Sequence, residues 1–239
     1  MTLRRAFFLL SLAASRCGAQ KTVNSAMIWM GAFGDHRFAA KSSLYWDLQI
    51  RRADFGEHWQ QLLGTVGYTR DLSPHWRATL STEFTHGYRY GPFPAHANTV
   101  EFRPWLQIAG TRTINKWTWS DRARVELRML KAIGEFAPVN ADFQPTVVRL
   151  RRQDRVQHAL NAGGTWYGAG VTEFFVNVAP ARSRVAALEQ VRAQALLGHQ
   201  LTARNRAEAG YGMQLFNRHG GYELNHILLL FFRTTVPLT

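Results

Sequence analysis

Strict alternation of charged and apolar residues is the feature that most restricts how this chain can fold. Residues 122–129 read RARVELRM, so charged side chains occupy every second position and apolar ones fill the positions between. Side chains of a β-strand point alternately to opposite faces, whereas in a helix these charges would be spread around the axis. The segment therefore predicts a strand with one charged face and one apolar face.

The same period-two pattern recurs along most of the chain. It is found around residues 46–51, 77–84, 100–108, 148–151, 173–177, 190–195 and 208–214. About eleven such segments can be counted, but closed bacterial barrels normally have an even number of strands. We expect an all-β fold, a closed antiparallel transmembrane β-barrel of twelve strands or of ten, with a further short strand hidden in residues 26–38 or in a loop.

Turn-like pieces separate these segments. They are residues 34–36 (Gly-Asp-His), 71–74, 161–164, 203–205 and 219–221. Two connections, 87–98 and 132–145, are longer and rich in Gly, Pro, Tyr and Phe. We expect both to project from the same end of the barrel, as the long loops of outer-membrane barrels do.

Residues 1–19 have the features of a secretory signal peptide. A basic start at residues 4–5 precedes an apolar run over residues 6–14, and small residues follow at 18–19. The run is too short for a membrane-spanning helix, which needs about 20 apolar residues. We expect export by a cleavable signal and assign residues 20–239 to one barrel domain that contains no cysteine.

The chain is strongly basic, which bears on its partners. Its formal net charge is +13, and loss of Arg4, Arg5 and Arg16 with the signal peptide lowers it to +10. Such a charge usually indicates nucleic-acid binding, but an exported protein rarely meets nucleic acid. On electrostatic grounds we expect lipid and lipopolysaccharide in the outer membrane of a Gram-negative bacterium as partners, and the oligomeric state is left open.

Alternation alone does not decide which face points outward, because a soluble barrel would place its apolar face inside. Alternation sustained over about nine or more residues matches the roughly 9 to 11 residues that a strand needs to cross a bilayer. Trp76, Trp117, Trp119 and Trp166 lie near strand ends, where an interfacial aromatic girdle would hold them. We expect the membrane arrangement, with ordinary core aromatics and a soluble periplasmic binding barrel as the alternatives.

Polar residues of mixed sign occupy the face that would then line the barrel interior. They are Arg77, Glu83, Glu101, Arg103, Arg122, Arg124, Glu126, Arg128, Arg149, Arg151, Glu173, Gln190, Arg192, Glu208 and Gln214. In a narrow barrel these groups would have to satisfy one another. We expect a salt-bridged interior, with an arginine-lined passage for small anions as a sharper alternative. Arg152 and Asp154 fall on the apolar face, so we expect them near an interface or a bulge.

Motifs that would indicate catalysis or metal binding are missing from the sequence. It has no Gly-x-Ser-x-Gly elbow, His-Glu-x-x-His zinc motif, glycine-rich phosphate loop or EF-hand loop, and its histidines are scattered. We therefore expect a non-enzymatic protein with no cofactor and no metal. An outer-membrane enzyme that modifies lipid or lipopolysaccharide is the alternative.

Several pieces in order resemble a family of exported proteobacterial proteins, domain of unknown function 2490. They are EFRPWLQ at 101–107, RARVELR at 122–128, RLR at 149–151, EFFVN at 173–177, QVR at 190–192, Gly198, EAGYGMQ at 208–214 and His226. The resemblance implies an outer-membrane-type barrel and no established activity. The chain departs from the pattern at Val191, where asparagine is expected, and in a C-terminus without the terminal aromatic residue of many outer-membrane strands.

Overall fold

The alternating segments form strands that close into one barrel. The computed structural model describes residues 21–91, 94–138, 142–180, 187–218 and 221–237. Within these ranges there are eleven strands and one 3₁₀ turn, Asp54–Gly56. The strands are β1 Lys21–Ala39, β2 Ser42–Ala53, β3 His58–Asp71, β4 Trp76–Gly87, β5 Asn98–Ile114, β6 Trp117–Ile133, β7 Gln144–Ala159, β8 Trp166–Pro180, β9 Leu188–Gln200, β10 Asn205–Arg218 and β11 Gly221–Pro237.

The closed all-β barrel is confirmed, but the expected number of twelve or ten strands is wrong. Neighbours in sequence pair antiparallel all round the wall, and the sheet closes by pairing of β1 with β11. Because hairpins reverse direction at each step, the first and last of eleven strands run the same way. The closing pair is therefore parallel, from Lys21 opposite Gly221 to Arg37 opposite Pro237, and the barrel is mixed rather than wholly antiparallel.

The first strand is one of the places where the sequence predicted an additional short strand. Residues 26–38 hide no extra strand, because β1 runs without interruption through the presumed turn at Gly34. That glycine permits a close contact instead of a turn: a Cβ there would lie 2.1 Å from the indole nitrogen of Trp46. Next to it, Asp35 forms an ion pair with Arg77 at 2.5 Å.

The two ends of the barrel differ. One end, here called the short-turn end, carries the connections 40–41, 72–75, 115–116, 160–165 and 201–204. The other, the long-loop end, carries residues 88–97 and 134–143, so the expectation that both long connections share one end is confirmed. The link between β8 and β9 is also at this end, and its residues 181–186 lie outside the described ranges, as do residues 1–20 with the expected signal peptide.

The two faces of the wall are chemically opposite. Outward side chains are apolar and exposed, as with Leu80 (62%), Leu48 (58%) and Leu106 (52%). In β11, Ile227 and Leu229 are buried inside, while Leu228 and Leu230 point outward. In the described part of the chain, no helix is long and apolar enough to cross a membrane.

Candidate functional site: the charged interior

Ion pairs link side chains from six adjacent strands, β4 to β9, into one central network. It contains five carboxylates and seven guanidinium groups, namely Glu83, Glu101, Glu126, Glu173, Glu189, Arg103, Arg122, Arg124, Arg128, Arg149, Arg151 and Arg192. Its links are shared: Arg103, for example, bonds Glu83 at 2.7 Å and Glu101 at 2.8 Å. All these residues except Glu189 are on the face that the sequence assigned to the interior.

Glu126 is the most enclosed member of the network. Its side chain has no exposed surface, and its two oxygens lie 2.5 Å from Arg149, 3.1 Å from Arg151 and 3.5 Å from Arg124. Arg103 approaches to 4.0 Å. Buried carboxylates are tolerated when charged hydrogen bonds occupy their lone pairs, and Glu126 meets this condition. It therefore joins three strands, β5, β6 and β7, from within.

Aromatic rings fill the spaces between the guanidinium groups. The ring of Phe175 lies 4.5–5.0 Å from three network arginines, and Arg124 stacks 3.7 Å from the ring centre of Trp105. Trp29 contacts Arg51 at 4.1 Å and Arg192 at 4.9 Å. Flat guanidinium groups stack well on such faces, so the rings both pack and stabilise the charges.

The interior is closed across its middle. Beside the network, buried apolar residues of β1, β2, β8, β9 and β11 form a small core that includes Met27, Trp29, Ile227 and Leu229, each at most 2% exposed. A water-filled passage would expose the side chains that line it. The near-zero exposure of these residues and of Glu126 means that side chains fill the cross-section there.

A loop residue extends the packing towards the long-loop end. Trp29 donates from its indole nitrogen to Gln60 at 2.8 Å, and Gln60 donates in turn to the hydroxyl of Tyr90 at 2.9 Å. Tyr90 belongs to the β4–β5 connection and packs against the apolar core. Burial raises the pKa of Tyr90, and nearby Glu223 raises it further.

Four residues predicted for the interior lie there but outside the central network. Arg77 is at the rim of the short-turn end, 38% exposed and paired with Asp35 and Asp71. Glu208 is the centre of a second cluster and is bound by Arg155, Arg233 and Tyr167. Gln190 and Gln214 are buried and bond each other, and Gln190 also accepts from Arg192 at 3.1 Å.

Sequence reasoning missed one carboxylate of the network, Glu189. It lies where the β8–β9 register shifts, between the pairs Phe175–Gln190 and Val176–Leu188. Such a β-bulge lets two consecutive residues face the same side, so Glu189 joins Gln190 in the interior. No alternation rule could place it, since its parity assigns it to the outer face. The interior rings were also missed, although Phe175 is two residues from Glu173 and must therefore share its face of the strand.

Two polar clusters interrupt the apolar outer face. Arg152 pairs with Asp154 at 2.7 Å and with Asp121 at 3.3 Å. A Cβ on Gly110 would lie 2.9 Å from Oδ1 of Asp121 and 3.0 Å from the ring of Trp76. The cluster is therefore close to Trp76, one of the predicted girdle residues at the short-turn end. That Arg152 and Asp154 lie near a membrane interface remains a prediction.

The second outer cluster lies at the parallel seam. The hydroxyl of Tyr211 is 2.5 Å from Nδ1 of His226, whose Nε2 lies 3.4 Å from Oδ1 of Asn24. Sequence reasoning had treated His226 as a scattered histidine. The three residues come from β10, β11 and β1, so only closure of the barrel brings them together.

The four tryptophans predicted for a girdle point outward at one end. Trp76, Trp117, Trp119 and Trp166 are 43–53% exposed. Trp76, Trp117 and Trp166 begin β4, β6 and β8 at the short-turn end, and Trp119 is the third residue of β6. That they mark a membrane interface remains a prediction. They are not core aromatics, because core residues would be buried.

Within the described ranges, no three His, Cys, Asp or Glu residues are placed to hold a metal ion.

Comparison with known proteins identifies the family of the chain. No curated protein matches the sequence significantly. A family of proteins of unknown function, DUF2490, matches residues 26–225, which confirms the resemblance seen in the ordered motifs. The chain therefore belongs to the DUF2490 family.

Proposed function

We propose that this protein is a non-enzymatic outer-membrane barrel whose interior is sealed by ion pairs, with a structural role at the cell surface. The observation that carries the proposal is the division of the wall into an exposed apolar outer face and a buried charged inner face. Lipid and lipopolysaccharide are then the partners of the outer face.

The outer face supports the membrane part of the proposal. Large apolar side chains such as Leu80, Phe84 and Val125 are about half exposed all round the barrel, and in water such a surface would drive aggregation. In lipid the same surface needs no partner. The strands are 12 to 19 residues long, enough to cross a bilayer at the usual tilt of about 45°.

The inner face supports closure rather than conduction. The five network carboxylates are matched by guanidinium groups of neighbouring strands, so each ion pair also ties the wall together across the interior. An anion passage would need guanidinium groups that face a continuous water column. Glu126 and Phe175, at most 1% exposed, leave no room for one at their level.

Fractionation and planar-bilayer recording test the two parts separately. The protein should be found in the outer-membrane fraction, migrate anomalously when unheated and shift on boiling, as closed barrels do. In planar bilayers it should give no steady conductance. Recovery from periplasmic extract would contradict the membrane part, and a steady anion-selective current would contradict closure.

The cluster at the seam favours one other candidate, an outer-membrane enzyme acting on lipid esters. Asn24, His226 and Tyr211 stand in the order of an orienting group, a base and a hydroxyl. The protein incubated with phospholipid or lipid A should then release acyl chains, and Tyr211→Phe and His226→Gln should each abolish the release. No acyl release from the unsubstituted protein would exclude this candidate.

A further inference from the structure

Positive charge exceeds negative charge in the closed part of the interior. The central network has seven guanidinium groups and five carboxylates, and Arg51 and Asp47 beside it are also buried. Together this makes eight cations and six anions. Guanidinium groups stay protonated in proteins, so the surplus cannot be removed by loss of a proton.

The surplus is most apparent at Arg51. This residue is only 9% exposed, and its guanidinium group donates to two amide oxygens, Gln61 at 2.9 Å and Gln49 at 2.8 Å. Across the described ranges, no carboxylate forms an ion pair with it. Its Nε has no hydrogen-bond partner at all.

A second guanidinium group adds to the positive charge at the same place. Arg192 is 7% exposed, contacts the ring of Trp29 that Arg51 also contacts, and reaches its one carboxylate, Glu173, only at 3.3 Å. Two cations on one indole repel each other in a medium of low polarity. Buried charges are normally paired, so this site has the chemistry of an anion-binding site.

We propose that a small monovalent inorganic anion of the chloride class binds in the interior at Nε of Arg51, beside Trp29 and Arg192. The enclosure restricts the ligand to a small ion, because the three residues are at most 9% exposed and an organic acid would have to displace them. The inference rests on the closed interior of the proposed function. It does not depend on membrane location, because the site is formed by the barrel itself.

Chloride dependence of stability tests the site. The folded barrel in detergent is heated in sodium gluconate, with chloride replacing gluconate at constant ionic strength, and the midpoint is read from the gel shift. The midpoint should rise saturably, by roughly 5 to 10 °C at about 100 times the dissociation constant. Equal midpoints in both salts would overturn the proposal.

Matched arginine variants locate the effect. Arg51→Gln should lose the chloride-dependent rise, whereas Arg112→Gln, at an exposed position near the end of β5, should keep all of it. An undiminished rise in Arg51→Gln would overturn the assignment.

If Arg51→Gln does not fold, crystals of the unsubstituted protein grown in bromide test the site instead. An anomalous peak beside Arg51 supports the site, and its absence there overturns it. Conduction would contradict the closed interior on which the inference rests, whereas a periplasmic location would contradict only the membrane part of the proposed function and leave these results unaffected.

Discussion

Replacement of Glu126 by glutamine tests whether the central network holds the barrel together. The amide keeps the shape of the side chain but places an NH₂ group among guanidinium donors and removes the negative charge. Its three near partners lie 2.5–3.5 Å away in a fully buried position. Breaking a buried ion pair costs about 3–5 kcal/mol.

The lower end of that range applies here. Arg149 keeps Glu189 at 2.8 Å and Arg151 keeps Glu173 at 2.7 Å after the change. Arg124, at 3.5 Å the most distant of the three partners, keeps its hydrogen bonds to Gln107. A loss of about 3 kcal/mol lowers the unfolding midpoint of a chain of this size by roughly 6–12 °C. The gel shift on heating, with the protein in detergent, measures that midpoint.

A matched substitution separates network loss from a general effect of the mutation. Glu135→Gln lies in the exposed β6–β7 connection, where a surface change alters stability by about 0.5 kcal/mol or less. Its midpoint should stay within about 2 °C of the unsubstituted protein. If Glu126→Gln behaves like Glu135→Gln, the reasoning that buried ion pairs hold this barrel together is refuted.

Three further substitutions test other features. Glu189→Gln should cost less, about 1–2 kcal/mol in denaturant unfolding, because Glu189 is 16% exposed and both its arginines keep a second carboxylate; a loss above 3 kcal/mol would speak against this. Gly198→Val should displace the ring of Tyr167, which lies 2.1 Å from the added Cβ, and break its bond to Glu208. The near-ultraviolet circular dichroism should change and stability should fall by about 2–3 kcal/mol. An unaltered spectrum would contradict the contact. Arg152→Gln should change stability by less than about 1 kcal/mol because the pair is half exposed, and a larger thermal shift would argue for a structural role.

The sequence predicted the two-faced wall because strand periodicity is a local property. Side-chain direction follows from backbone geometry alone, so residues 122–128 could be assigned to faces without knowledge of their neighbours. The fifteen predicted interior residues are all on the inner face for this reason. The pairing of each carboxylate with its arginines depends on strand register, and the sequence did not reveal the register.

The strand number and the parallel pairing that closes the barrel could not be predicted, because they depend on contacts between distant residues. Gly34 reads as a turn residue, but its role is to admit the ring of Trp46 on the next strand. Glu189 reads as an outward residue, but a bulge turns it inward. The parallel seam follows only once the count is known to be odd, and the cluster of Asn24 and His226 exists only because of that seam.

Spin-label accessibility tests the central claim, that the apolar outer face meets lipid, most directly. The sequence has one cysteine, Cys17, so Leu106→Cys and Val125→Cys in a Cys17→Ala background each give one outward label, and Glu135→Cys gives a loop control. In reconstituted vesicles, the labels at 106 and 125 should relax faster with oxygen than with a water-soluble nickel complex, and the label at 135 should show the reverse. Labels at 106 and 125 that respond to nickel as the loop label does would contradict the claim.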